Sequence, residues 1–482
     1  MSYTGAPFLL VFLPILLVVY WLFYRRSVMQ NAVLLAGSFV FYASFSKRYV
    51  LVLLAGILIS WFDGKQVAKN RRVLIPFVIV NLFPLLFFKY GKTMLGMWYL
   101  LMPVGLSFYS LQSTSYLFDI ANGKTQPENN LIDYALYVSF FPTIVSGPIQ
   151  KSYQFLPDIR SSKSITYRDA VSGCLIFLYG AFLKMVIADR IALFTSPIFE
   201  YYSGYEGAVV LTAAILYSIE IYCDFFGYTC MVSGIARLFG YKLRDNFRQP
   251  YFAVSISDFW KRWHMSLTSW LTEYIYFPLG GNRKGTARKY LNILIIFIVS
   301  ALWHGTGLQF AVWGLLHGFY RIIEELTASF RTELWKKLGV DTSKYGWTLL
   351  RRIWIFALVT IAWVFFRAKD VPAAAGFLAQ VFHDFNVHVF FDGTLFQLTL
   401  DEIHFRVVIL AIIAMRVVSH FREQGRRAED VLGEALPVRW ALILILLFAV
   451  FSFILNVVFP SINVNSKKKT KHQLFHLKKE QK

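Results

Sequence analysis

Charge is scarce in this chain. Only 16% of its 482 residues are charged, against about 25% in soluble domains, which excludes a soluble globular protein. Disorder is excluded by the opposite excess: 57% of the residues are hydrophobic and 18% aromatic, and disordered chains are poor in both. Cysteine is nearly absent. Cys174, Cys223 and Cys230 have neither metal-ligand spacing nor a pairing framework, so no metal centre and no disulfide scaffold are expected. Acidic residues are the scarcer charge, 28 against 49 Lys plus Arg, a net +21. Such an excess can mark a nucleic-acid binder. In a chain this apolar it instead marks cytoplasmic loops that fix topology and meet anionic membrane lipid, and no nucleic-acid partner is expected. No Ser/Gly linker or low-complexity run divides the sequence, which reads as one membrane domain over 1–460 and a basic tail over 461–482.

What is present is a series of apolar stretches, at 7–24, 29–46, 49–62, 73–88, 95–118, 131–147, 170–188, 208–223, 291–303, 308–320, 349–366, 404–421 and 440–459. A helix needs about 20 residues to cross about 30 Å of hydrocarbon. The pattern predicts an all-α polytopic membrane protein with about ten to twelve crossings and some re-entrant and interfacial helices. The first stretch has no basic residue before it and no cleavage site after it, so it is not expected to be a signal peptide. Arg25-Arg26, Lys65, Lys69, Arg71 and Arg72 predict an external N-terminus and a cytoplasmic first loop in a multi-pass cytoplasmic (inner) membrane protein. The same count places Lys467-Lys468-Lys469 outside, so one stretch is expected to be re-entrant, with 131–147 and 291–303 as the suspects.

The polar stretch 236–290 is too aromatic for an idle loop. Ile256, Phe259, Trp260, Trp263, Leu267, Trp270, Leu271 and Tyr274 form one apolar stripe of helical period. Ser255 or Ser257 can cap its start, and Asp258 suits the first turn. The expectation is a single interfacial helix with His264 at the edge of its buried stripe.

Ionisable groups inside apolar sequence are the candidate site. His304 ends an apolar helix in Trp303-His304-Gly305, and polar groups at membrane depth are costly to keep. A neutral imidazole there can take a hydroxyl proton as general base; alternatively it ties two helices by hydrogen bonds. His264, next in rank, either lines the site or bonds a neighbouring backbone group. His317, Asp224, Glu220 and Asp119 read as members of buried networks. The loop Gly280-Gly281-Asn282-Arg283-Lys284-Gly285 with Arg288 and Lys289 can hold an anion, or simply anchor a cytoplasmic loop. The chain has no His-x-x-x-x-Asp pair and no Gly-x-Ser-x-Gly elbow.

Four blocks, in order, resemble the membrane-bound O-acyltransferase family. They are Pro103-Val104-Gly105-Leu106-Ser107-Phe108-Tyr109, then Phe140-Phe141-Pro142 with Ser146-Gly147-Pro148, then Ile221-Tyr222-Cys223-Asp224-Phe225-Phe226-Gly227-Tyr228, and last the stretch around His264 through Trp303-His304-Gly305. Tyr276-Phe277-Pro278-Leu279-Gly280-Gly281-Asn282-Arg283 is similar to the alginate and peptidoglycan O-acetyltransferase branch. Cys230, where relatives commonly carry aspartate, and the C-terminal Phe459-Pro460-Ser461 run depart from that branch.

The resemblance implies a helical ring around a central tunnel, with His304 as catalytic centre and His264 lining the cytoplasmic approach. It implies acetyl-CoA as donor substrate, with no permanently bound cofactor; the anion-holding loop then offers Arg283, Lys284, Arg288 and Lys289 as contacts for the coenzyme. The acceptor would be an extracytoplasmic polysaccharide, reached through an extracytoplasmic acetyltransferase partner protein. Two alternatives stay open: D-alanyl transfer to teichoic acid, and a transporter without covalent chemistry.

Overall fold

The computed structural model describes residues 1–94, 96–97, 101–426, 430, 437, 440–441 and 443–450. The end of the candidate span at 440–459 and the basic tail at 461–482 lie outside them. Among the described residues every regular element is helical. The helices that position the site are α1 (Tyr49–Lys69), α2 (Leu74–Met94), α3 (Leu106–Ala121), α4 (Tyr167–Glu200), α5 (Gly207–Leu238), α6 (Ile256–Arg262), α7 (Met265–Leu271), α8 (Thr286–His304), α9 (Leu308–Leu326), α10 (Tyr345–Arg367) and α11 (Glu402–Glu423).

Seven of the described helices are long and apolar enough to cross a membrane, and Pro7–Leu22, Ser27–Ala43 and Val371–Gln380 are shorter apolar helices. The chain is a multi-pass membrane protein. Three stretches prove longer than their hydropathy suggested. The stretch 49–62 grows into the 21-residue α1, 170–188 into the 34-residue α4, and 208–223 into the 32-residue α5. The shortfall has a cause: Asp63, Asp189 and Asp224 end the apolar runs of α1, α4 and α5 without ending the helices. Of the two suspects, 131–147 breaks at Phe140 into Leu131–Ser139 and Phe141–Ile144, and nine residues rise only about 14 Å. The stretch 291–303 belongs to α8, whose 19 residues suffice to cross.

Two large buried cores hold most of these elements. The N-terminal helices pack on α3 through Tyr20, Phe41, Leu53, Tyr116, Tyr134 and Phe141. Helices α4, α5 and α10 pack through Leu183, Ile187, Ala213, Phe226, Val359 and Trp363. Between lipid-solvated helices apolar burial drives little, and close backbone approach by small residues matters more. The α4–α5 pair shows it. A methyl group built on Gly180 would sit 2.5 Å from the Gly227 carbonyl oxygen, and one on Gly227 would sit 2.7 Å from that of Gly180. Gly173 and Gly234 face each other in the same reciprocal way.

The single amphipathic helix expected over 256–274 is corrected. Ser255 does cap its start, accepting from the Asp258 N–H at 2.9 Å. The helix then ends at Arg262, and His264 turns into the left-handed region (φ 44°, ψ 51°) before α7 begins and passes into a π-helical turn, Thr272–Tyr276. A left-handed residue other than glycine costs about 1–2 kcal/mol, and periodicity carries no sign of it, because the apolar stripe continues through the break.

Candidate active site

The break at His264 is held by one residue. The Asn246 backbone carbonyl accepts from the Met265 N–H at 2.9 Å. Its side-chain oxygen accepts from the Ser266 N–H at 3.1 Å and the Ser266 hydroxyl at 2.9 Å, and lies 3.1 Å from His264 Nδ1. A backbone N–H can only donate, so the amide oxygen must face Ser266. The same oxygen can only accept from the imidazole. His264 Nδ1 therefore carries the proton, and Nε2 keeps a bare lone pair. That Nε2 is buried and has no hydrogen-bond partner among the described residues.

His304 is the last residue of α8. The turn Gly305-Thr306-Gly307 folds α9 back beside α8, and a side chain at 305 would run into the Phe310 ring. The imidazole stands among Trp303 (centroids 4.8 Å), Trp313 (5.3 Å) and Phe366 (5.2 Å). It is half-buried and makes no side-chain hydrogen bond among the described residues, so it does not tie helices together. His264 reaches the same indole, its ring 6.0 Å from that of Trp303. Two histidines separated by forty positions thus share one aromatic partner. Trp303 is itself fixed, its Nε1–H donating to the Ser107 carbonyl at 3.2 Å.

Lys89 completes the corner. Its ammonium donates to the Trp303 carbonyl, and the neighbouring Tyr90 hydroxyl donates to the Leu302 carbonyl at 3.0 Å. Helix α2 thereby caps the C-terminal carbonyls of α8 with a cation, which suits the negative end of a helix dipole. No carboxylate pairs with Lys89 among the described residues. The sequence reading missed Lys89, which sits in an ordinary-looking Phe87-Phe88-Lys89-Tyr90 segment, and Asn246, which lies early in the polar stretch 236–290.

The four predicted coenzyme contacts are not brought to the histidines. Arg288 and His304 lie sixteen positions apart on one helix, about 24 Å along its axis. Arg283 and Lys284 are exposed, Arg288 is half-buried, and Lys289 is ion-paired with Glu325. His317 is buried in an aromatic box and accepts from Trp260 Nε1–H at 3.3 Å. Asp119 accepts from the Ser152 hydroxyl at 2.6 Å and the Tyr274 hydroxyl at 2.7 Å. Glu220 accepts from the Thr195 hydroxyl. Asp224 departs from the expectation of a buried network: about half of its side chain is exposed, and it pairs with Lys184. No cluster of potential metal ligands occurs among the described residues.

The model of the membrane-bound O-acyltransferase family matches residues 35–357. The chain belongs to this family. It is 33% identical over 389 residues to a Pseudomonas fluorescens protein named "Probable alginate O-acetylase AlgI", covering 79% of this chain and 76% of the relative. It is 32% identical over 417 residues to the peptidoglycan O-acetyltransferase of Helicobacter pylori, covering 76% and 77%. A more distant likeness, 25% over 276 residues, joins it to the teichoic acid D-alanyltransferase of Bacillus subtilis, covering 55% and 69%. Family and relatives make the chain an acyltransferase, and the four sequence blocks are those of a true member. The matched region holds both histidines, Asn246 and Lys89.

Proposed function

We propose that this acyltransferase moves acetyl from cytoplasmic acetyl-CoA across the inner membrane for O-acetylation of an extracytoplasmic polysaccharide, alginate-like or peptidoglycan, with an extracytoplasmic acetyltransferase as partner protein. The observation that carries the reading is the meeting of His264 and His304 on Trp303, in a family whose alginate and peptidoglycan members align with most of this chain.

In this reading His304 takes the proton of the attacking hydroxyl as its oxygen adds to the thioester carbonyl, and returns it to the departing thiolate. The ester bond forms as the C–S bond breaks, and no proton is gained or lost overall. General-base help of this kind is worth about 10²–10⁴ in rate. The Lys89 ammonium, one of whose three donors is spent on the Trp303 carbonyl, lies where negative charge develops. His264 lines the approach with its bare Nε2. The aromatic walls keep water from the thioester. Arg283, Lys284, Arg288 and Lys289 would hold the phosphate-bearing head of the donor. Their separation from His304 then requires a donor with a long flexible arm.

The test is to measure ester-linked acetate and ester-linked D-alanine in fractionated envelope glycans of wild type and His304→Ala at matched protein levels. Loss of acetate from one fraction is expected. Loss of D-alanine instead would move the chain to the chemistry named for its more distant relatives, and no change in either ester would remove the transferase reading of His304.

A further inference from the structure

Helices α1 and α2 both lean on α3 and meet each other only loosely, and a groove of about 350 Å³ stays open between them. Leu51, Ala55 and Ile59 form one wall; Val80, Phe83 and Phe87 form the other. Gly56 keeps the first wall low: a methyl group built there would touch only the Tyr109 ring, at 3.9 Å. Below lies a polar floor with Ser110 and Ser113, where only about 20 Å³ is left. Whatever fills the groove therefore lies between its apolar walls. Asn81, the polar residue of those walls, spends its amide N–H groups on Asp63 and on the Phe77 carbonyl, each at 2.8 Å.

The walls decide what the groove opens onto. Both helices are long and apolar enough to cross a membrane, and Leu51 and Phe83 at the mouth are 70% and 61% exposed. Large apolar side chains so placed meet hydrocarbon, and the matter at hand to fill the space between them is an alkyl chain. The volume is that of a small-molecule site, about 300–1,000 Å³, at its lower end.

The rim adds charge. Arg48 caps the start of α1 with helical dihedrals (φ −64°, ψ −37°), so Arg48, Val52, Ala55 and Ile59 follow at steps of four, three and four along one face. The cation thus continues the stripe that lines the groove. Lys47 precedes it; both are exposed and pair with no carboxylate among the described residues. Tyr49, beside them, packs on Phe88 (centroids 5.9 Å), in the place an interfacial tyrosine takes at headgroup level. Topology does not account for the two cations. Helix α1 runs from Arg48 to Lys65 and Lys69, so the denser basic cluster, which continues to Arg71 and Arg72, lies across the membrane. Cations that set topology gather on that one side.

We propose that the groove between α1 and α2 seats one acyl chain of an anionic glycerophospholipid whose phosphate lies on Arg48 and Lys47. The lipid packs on the helix that presents Lys89: Phe88 lines the groove, and the next residue donates to the Trp303 carbonyl. It undergoes no reaction there, and its binding stands apart from the acyl-transfer reading.

The experiment uses the full chain in phosphatidylcholine nanodiscs doped with a photoactivatable lipid, either phosphatidylglycerol or phosphatidylcholine with a diazirine in one acyl chain. After irradiation the labelled peptides are mapped by mass spectrometry. Phosphatidylglycerol should label 51–59 and 80–88 at least about fivefold more than phosphatidylcholine does, the preference that two cations give an anionic head. Arg48→Gln together with Lys47→Gln should abolish that preference. Gly56→Phe, which fills the space of the chain, should lower labelling of these peptides by both lipids severalfold. The wild-type ratio needs no variant, so a variant that fails to fold leaves the test intact. Equal labelling by the two lipids, or a preference that survives loss of both cations, overturns the anionic lipid. A phosphatidylglycerol preference confined to other peptides overturns the groove. Stronger competition by a polyprenyl phosphate than by unlabelled phosphatidylglycerol, or protection of these peptides in a dimer, gives the groove to another occupant and overturns the proposal as well.

Discussion

At the basic-loop end of α8, charges are plentiful and mostly paired. Lys289 meets Glu325, Glu273 bridges Lys124 and Lys151, and Arg160 meets Glu128. At the other end, among the described residues, His304 stands between three aromatic rings with no side-chain hydrogen bond, His264 keeps a bare nitrogen, and Lys89 pairs with no carboxylate. Paired charges near water are worth little individually and tolerate loss. Sparse polar groups against apolar walls are each worth more, because nothing screens or replaces them. In the proposed function, the first region anchors and orients and the second does the chemistry.

The largest test of this contrast is His304→Ala, which should lower kcat for acyl transfer by about 10²–10⁴ at unchanged protein abundance. Lys89→Met should follow: loss of a charge-assisted hydrogen bond of about 1.5–3 kcal/mol corresponds to roughly 10–150-fold. Its kcat should fall with KM nearly constant, and Lys89→Arg should restore part of it. Equal kcat for Lys89→Met and wild type would reduce Lys89 to a helix cap. Asn246→Ala frees the His264 tautomer; of the three hydrogen bonds its side-chain oxygen accepts, the one from His264 sets the imidazole, and its loss, worth about 0.5–1.5 kcal/mol, predicts a fall of roughly 2–10-fold, read in single-turnover rates. At the paired end, Glu273→Gln should change kcat/KM by less than about fivefold, as expected for a pair worth about 0–1 kcal/mol. A larger loss there than at Lys89 would invert the assignment.

The smallest effect concerns pH. Burial, helped by nearby Arg244 and Lys124, lowers the Lys151 ammonium from 10.5 to about 8. Between these values the unfolded chain binds more protons than the folded one, so the contribution of Lys151 to stability rises with pH across that window. Thermal unfolding of wild type against Lys151→Met from pH 8 to 10 should show a small upward slope that the variant lacks.

Much of this arrangement was legible in the sequence. Apolar run length gave the helical membrane fold, and Trp303-His304-Gly305 marked the corner, because a histidine between an apolar helix and a glycine has few ordinary reasons to be there. The break at His264 was hidden, since Phe259, Trp260, Trp263 and Leu267 keep helical spacing across it. The basic loop was misjudged in position: Arg288 and His304 are near in sequence, but a straight helix turns sixteen residues into about 24 Å. Asp224 was read as buried because its neighbours are apolar, and sequence cannot show which face of a 32-residue helix stays exposed.

The paired glycines of α4 and α5 have a consequence for how such a protein can change. Gly173 with Gly234 and Gly180 with Gly227 lock two backbones at two points seven residues apart. A slip of either helix by one residue breaks both locks at once. The relative height of Lys184 and Asp224 is therefore set by main-chain contact, and the charges need not hold the scaffold together. Side chains between the locks are free to be exchanged while the helices stay in register, like type set in a fixed frame.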